Sequence, residues 1–334
     1  MNRVLSVIAF LMLSLSMHAQ ISMDVHSHVI SPEYRAFIEQ HGATMEEGFP
    51  LPAWDVNEQL QFMEKIGIET SVLTMCAPLP YFGDAKESAR LCRQQNEYFA
   101  KLKKQYPGKF RFCAALPLPD VKTAIREAVY ALDALHADGI KLATNARGQY
   151  LGTPELDTLM QVLNERNAVI ILHPHKPEPY NHEVMMQSPL AMQEYLAETT
   201  RAVTNMITRN VLARYSNLKV IVPHCGAYLP LAVPRAKSLT PVMQQTKMIG
   251  TIDWEANLRN LYYDLAGAHS PEVIKMMLTI TTPDHILYGS DYPYVKEPVL
   301  VAGVKRMQEY LSKDPELAPY KQMFLYYNAK KLFK

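Results

Sequence analysis

Residues 168–175 read Ala168-Val169-Ile170-Ile171-Leu172-His173-Pro174-His175. The apolar run from Ala168 to Leu172 is short and rich in β-branched side chains, which fits a buried strand better than a helix. A helix-like stretch, Glu155–Asn167, precedes it and another, Leu196–Tyr215, follows. The same alternation extends in both directions. Upstream strands are expected at Ile21–His26, Glu69–Met75, Arg111–Leu116 and Gly139–Ala143, and downstream ones at Lys219–Pro223, Leu261–Asp264 and His285–Tyr288. Helical patterns at Val56–Ile66, Ser88–Gln105, Val121–Ala137 and Pro271–Leu278 separate them. Strands alternating with helices build βαβ units and a parallel sheet, and eight such strands point to a closed (β/α)₈ TIM barrel. An open Rossmann sheet would carry GxGxxG after its first strand, and phosphate-loop chemistry would need GxxxxGK[ST]. The sequence has neither.

Composition agrees with one globular domain. The chain has 334 residues, 48% hydrophobic and 20% charged, and α/β barrels exceed 250 residues as single domains. A formal net charge of +1 leaves no electrostatic footprint for nucleic acid or an anionic membrane. Cys76, Cys92, Cys113 and Cys225 show no CxxC spacing, so neither a zinc ribbon nor a thioredoxin-type site is suggested. Residues 1–20 stand apart. Arg3 is followed by the apolar run Val4–Ser16 and then by Ala19, a small residue suited to a cleavage site. This pattern reads as an export signal, and the run is too short to span a bilayer comfortably. A mature domain of residues 21–334, periplasmic or secreted and without a membrane span, is therefore expected.

The chemistry gathers at strand ends. The first strand ends Asp24-Val25-His26-Ser27-His28, and side chains alternate along a strand, so His26 and His28 share a face. His173 closes the fifth strand, His224 follows the sixth, and Asp291 closes the run Ile286–Asp291 at the eighth. In a barrel all four strand ends open into one bowl at the C-terminal face, where active sites form. Three imidazoles and a carboxylate with an open position suit a catalytic divalent metal. The expected ligands are His26, His28, His173 and Asp291, for zinc first and manganese second. His175 is an alternative ligand from the fifth-strand loop, and Lys141, inside the fourth strand, reads as a core or supporting residue. His269 could reach the bowl but reads as a surface residue, and His41 and His182 lie in two long loops, Val29–Trp54 and Lys176–Glu194. His136 and His285 fall away from the bowl.

With those residues placed, the chain resembles the amidohydrolase-related family that includes aminocarboxymuconate-semialdehyde decarboxylase, in the flavour of 6-methylsalicylate and γ-resorcylate decarboxylases. The carrying segments are DVHSH at 24–28, GIKLATNARGQYLG at 139–152, ILHPH at 171–175, VPHCGAYLP at 222–230 and YGSDYPY at 288–294. The resemblance implies the four metal ligands above, with His224 as acid–base beside the metal and Asp291 able to share that role. Arg235 reads plainly as a solvated helix residue, and the resemblance implies instead that one subunit donates it to its neighbour's substrate carboxylate, and hence a homodimer or larger homo-oligomer. The first-loop arginine of those decarboxylases has only Arg35 as a nearby counterpart. The implied reaction is non-oxidative decarboxylation of a small aromatic or enol-type carboxylic acid. A hydrolase of a lactone or amide, with Asp291 as base, is the rival on the same residues.

Overall fold

The computed structural model describes residues 21–45, 47–181, 183, 188–267 and 269–333. The expected export signal at 1–20 and the loop residue His182 lie outside the described residues. Eight parallel strands follow one another round a single sheet in chain order. They are β1 (Ile21–Val29), β2 (Ile68–Met75), β3 (Phe110–Ala115), β4 (Gly139–Ala143), β5 (Val169–His173), β6 (Lys219–Val222), β7 (Leu261–Asp264) and β8 (Ile286–Leu287). The ring closes where the chain beyond β8 meets β1. Val25 N donates to Tyr288 O at 3.0 Å, Asp291 N to His26 O at 2.8 Å, and His28 N to Tyr292 O at 2.8 Å. The eight strand positions expected from sequence therefore match the barrel to within a few residues at each end.

Helices cover the outside: α1 (Pro32–Gln40), α2 (Val56–Ile66), α3 (Ala85–Gln105), α4 (Val121–Val129), α5 (Asp157–Glu165), α6 (Glu194–Thr208), α7 (Leu229–Gln245), α8 (Pro271–Met277), α9 (Glu297–Lys313) and α10 (Asn328–Leu332). Their starts follow ordinary capping chemistry, in which a side-chain oxygen accepts from an unpaired amide of the first turn. Ser31, Asp55, Asp84 and Asp120 do this for α1 to α4. The helical pattern read over Val121–Ala137 is shorter as an α-helix, because Tyr130–Ala134 continues it as a π turn. The pattern over Leu196–Tyr215 breaks at Asn210, whose φ of 55 is left-handed. The first long loop is not wholly irregular either, since it contains α1.

Two apolar layers hold the barrel. Between strands and helices lies the larger core, with Phe62, Phe99, Phe112 and Phe324 fully buried. Inside the barrel a smaller cluster includes Met23, Val25, Val72, Val169, Ile171, Ile221 and Leu287, and Ala329 and Phe333 close its lower end. β1 contributes to two different interiors. Its pairing with β2 shifts register between Asp24 and Ser27, which inserts one extra residue and inverts the alternation above it. Below the shift Met23 and Val25 face the apolar interior, and above it His26 and His28 face the bowl.

Candidate metal centre

His26, His28 and His173 each have one ring nitrogen occupied by an acceptor. His26 Nδ1 lies 2.8 Å from Asp264 Oδ2, and His173 Nδ1 lies 2.8 Å from Pro174 O. His28 Nδ1 lies 3.0 Å from Thr74 Oγ1, whose own hydroxyl proton goes to Ser27 O at 2.8 Å. Thr74 therefore accepts from His28. These contacts place the proton of each neutral ring on Nδ1 and turn the Nε2 lone pair toward the bowl. His26 Nε2 and His28 Nε2 are buried and make no hydrogen bond, a costly arrangement unless something electrophilic occupies the space they face.

Asp291 completes the set. Its Oδ1 stands 3.6 Å from His26 Nε2 and 3.2 Å from His28 Nε2. Ligand atoms of His26, His28, His173 and Asp291 all lie within 4.8 Å of one another. Charge follows geometry. Burial and neighbouring charges hold the His173 imidazole well below the usual range, and burial brings His28 down to about 4, so both rings are neutral. Burial works against the Asp291 carboxylate, but the neighbouring imidazoles of His224, His28 and His26 hold it well below the usual carboxylate range. Neutral imidazoles and an ionised carboxylate with inward, unpartnered atoms fit a divalent cation.

His224 stands outside that set. It comes two residues after β6, in a turn where His224, Cys225, Gly226 and Ala227 all take positive φ, between 54 and 74. Positive φ at His224, Cys225 and Ala227 is strained, and strain of this kind persists where surrounding contacts enforce it. Here Asp264 Oδ1 accepts from His224 N at 3.0 Å. The ring meets the other oxygen of Asp291, with Nε2 3.7 Å from Oδ2.

Asp264, fully buried, is the residue that sequence reading missed. It orients His26 through one oxygen and anchors the His224 turn and Ala266 N through the other. Its signal was available, since it closes the seventh strand as the ligands close theirs. Asp24 has a similar role deeper in the barrel, accepting from Ser290 N at 3.0 Å, Ser290 Oγ at 2.6 Å and His26 N at 3.1 Å.

Above the bowl opens a cavity of about 610 Å³. His173, His224 and Asp291 form its floor, and Tyr195 and Tyr294 rise beside them. The two long loops make its roof, and Glu47 ties them together. Tyr195 Oη donates to Glu47 Oε2 at 2.5 Å, His175 Nδ1 pairs with Glu47 Oε1, and Leu190 N donates to Glu47 O at 3.4 Å. His175 is thus engaged by Glu47 and does not belong to the ligand cluster. Lys141 is buried inside the barrel, pushed down to about 8 by burial, and its Nζ makes no hydrogen bond. His41 stacks on Phe82, His269 bonds Tyr310, and His285 stacks on Tyr262. Arg35 donates to the carbonyls of Leu51 and Pro52, outside the cavity lining. Arg235 is exposed on α7 and does not line the cavity of its own chain.

The family model described as Amidohydrolase matches residues 23–334. The chain belongs to the amidohydrolase family. This amidohydrolase is 33% identical over 310 residues to the decarboxylase yanB of Aspergillus niger, covering 88% of this chain and 83% of the relative. It is 29% identical over 292 residues to a 6-methylsalicylic acid decarboxylase of Penicillium expansum, covering 86% and 90%. Among solved structures, a 5-carboxyvanillate decarboxylase of Novosphingobium aromaticivorans with bound manganese shares the fold. Its TM-score is 0.81 at 19% identity, covering 95% of this chain and 98% of that one.

Proposed function

We propose that this amidohydrolase is a metal-dependent, non-oxidative decarboxylase of a small aromatic carboxylic acid. The observation that carries the reading is the Asp291–His224 pair, set at the floor of a largely apolar cavity beside a four-residue metal centre. The curated relatives that decarboxylate aromatic acids support the same reaction over lactone or amide hydrolysis.

His26, His28, His173 and Asp291 would hold a divalent cation, which would supply Lewis-acid stabilisation of charge on a substrate oxygen beside the departing carboxylate. When the carbon–carbon bond breaks, its electron pair stays on the ring carbon and CO₂ leaves. A proton must then reach that carbon. Asp291 Oδ2 and His224 Nε2 face each other at 3.7 Å, so the pair can hold that proton on the cavity side and deliver it. Three imidazoles and one carboxylate suit zinc. The manganese of the carboxyvanillate decarboxylase makes that ion the alternative outcome of metal analysis.

Two further readings accompany this. We place Arg235 at the carboxylate of a neighbouring copy, supported by its position on an α7 face that also exposes Leu231, Leu239 and Val242. Export rests on the pattern of residues 1–20, and N-terminal sequencing of the native protein should begin near Gln20.

The test of function is metal analysis of the purified protein, followed by a carboxylate panel monitored for CO₂. His26→Ala and His173→Ala should lose metal and CO₂ release together. Full occupancy in both variants would remove the metal centre. A panel that shows only lactone or amide opening would replace the decarboxylase with the hydrolase.

A further inference from the structure

The cavity above the Asp291–His224 pair measures about 610 Å³, several times the roughly 150 Å³ that accepts a benzene ring. A ring bearing one carboxylate, a hydroxyl and a methyl group fills the floor and leaves the upper region empty. That upper region is apolar. Phe49, Met192, Leu231 and Met276 line it and are all open to solvent, Met192 at 70% and Leu231 at 66%. Large apolar side chains gathered round the mouth of one cavity mark a surface that binds apolar matter.

Polar groups collect at the other end, where Glu47, Tyr195, His173, His224 and Asp291 surround the floor. Among the described residues that line the cavity there is no lysine or arginine. Glu47 is held ionised, because its pairing with His175 and its hydrogen bond from Tyr195 outweigh the cost of burial. A substrate with a second carboxylate would meet that like charge and find no counter-ion within this chain, while the Arg235 placed here from a neighbouring copy is taken by the first carboxylate.

We propose that the substrate is an aromatic monocarboxylic acid with an extended alkyl substituent, its acid end on the bowl and its alkyl chain between Phe49, Met192, Leu231 and Met276. The assignment of the acid end rests on the decarboxylase reading, whereas the alkyl chain rests on the cavity alone. A ring carrying two carboxylates is disfavoured.

The metal-loaded protein is given 2-hydroxybenzoic acids substituted at position 6 with methyl, propyl, pentyl or heptyl, together with a dicarboxylic analogue. CO₂ release and calorimetric Kd are measured for each. Each added methylene up to pentyl should improve kcat/KM and Kd by about two- to four-fold, with the kinetic gain in KM. Met192→Ser and Leu231→Ser, both at exposed positions that the fold tolerates, should each lower the pentyl-to-methyl ratio several-fold. The dicarboxylate should bind at least about ten-fold more weakly than the methyl compound. A flat or falling series overturns the alkyl site, and so does a flat series in which Leu231→Ser changes the oligomeric state, since the rim then belongs to a second copy. A rising Kd series without CO₂ supports the alkyl site and overturns the decarboxylase. CO₂ release with a flat series does the reverse.

Discussion

At His224 the backbone is left-handed and pinned by Asp264, while the ring faces Asp291 from outside the ligand cluster. Removing the ring should therefore leave the metal in place and cost turnover. His224→Ala is expected to retain stoichiometric metal and its fold while kcat falls by about two to four orders of magnitude, the effect of a missing acid–base group. A metal-free variant would make His224 a ligand. His26 carries a second expectation. Burial pulls its pKa down, but the charges of Asp264 and Asp291 overcome this and lift it to about 9 in the metal-free protein. A cation binds only the unprotonated ring, so below pH 9 uptake must displace one proton. Affinity should rise by up to about ten-fold per pH unit from 7 toward 9 and then level off. His28, held near 4, adds nothing in that window. Calorimetry in buffers of different ionisation heat counts the released proton. Asp264→Asn keeps a hydrogen-bond acceptor but loses the charge, so it should move proton release to lower pH and weaken metal binding by about 10- to 100-fold.

The elements that carry these residues touch at one crowded point. Gly289, just past β8, lies where an added Cβ would sit 2.8 Å from His26 Cβ and 3.1 Å from Asp264 Cβ. Gly289→Ala must displace the strand ends that hold both, so a loss of about 1–3 kcal/mol in denaturant unfolding is expected, together with weaker metal retention. A variant with wild-type stability and occupancy would show that the barrel rim gives way more easily than this packing implies. In α7, Pro230 sits in the first turn, where a missing amide costs nothing, and the helix runs through Pro234 and Pro241. The bulge in β1 was hidden, because Ile21–Val29 shows nothing locally at the point where its pairing with β2 slips.

Across the whole molecule the barrel has a reactive end and a sealed one. Ala329 and Phe333 pack into the inner cluster with Met23 and Val25, so the C-terminal segment closes the end opposite the metal centre. Phe333→Ala should lower unfolding free energy by about 3–5 kcal/mol, read by chemical denaturation of the metal-free protein. The barrel and the candidate cluster of His26, His28, His173 and Asp291 were legible in the chain because both are written locally. An apolar run of strand length is visible in five or six residues, and His26, His28, His173 and Asp291 each stand at or just beyond such a run. The topology of a (β/α)₈ barrel then brings every strand end to one face without further information. What tertiary structure alone decided concerns direction and pairing between distant segments. It set His173 rather than His175 into the bowl by giving His175 to Glu47, assigned Asp264 to orient His26 across 238 residues, and left Arg235 exposed on α7, outside the lining of its own cavity. A ligand needs a lone pair aimed at one point, and that aim is fixed by hydrogen-bond acceptors and packing contributed from other strands and loops, which no local pattern records.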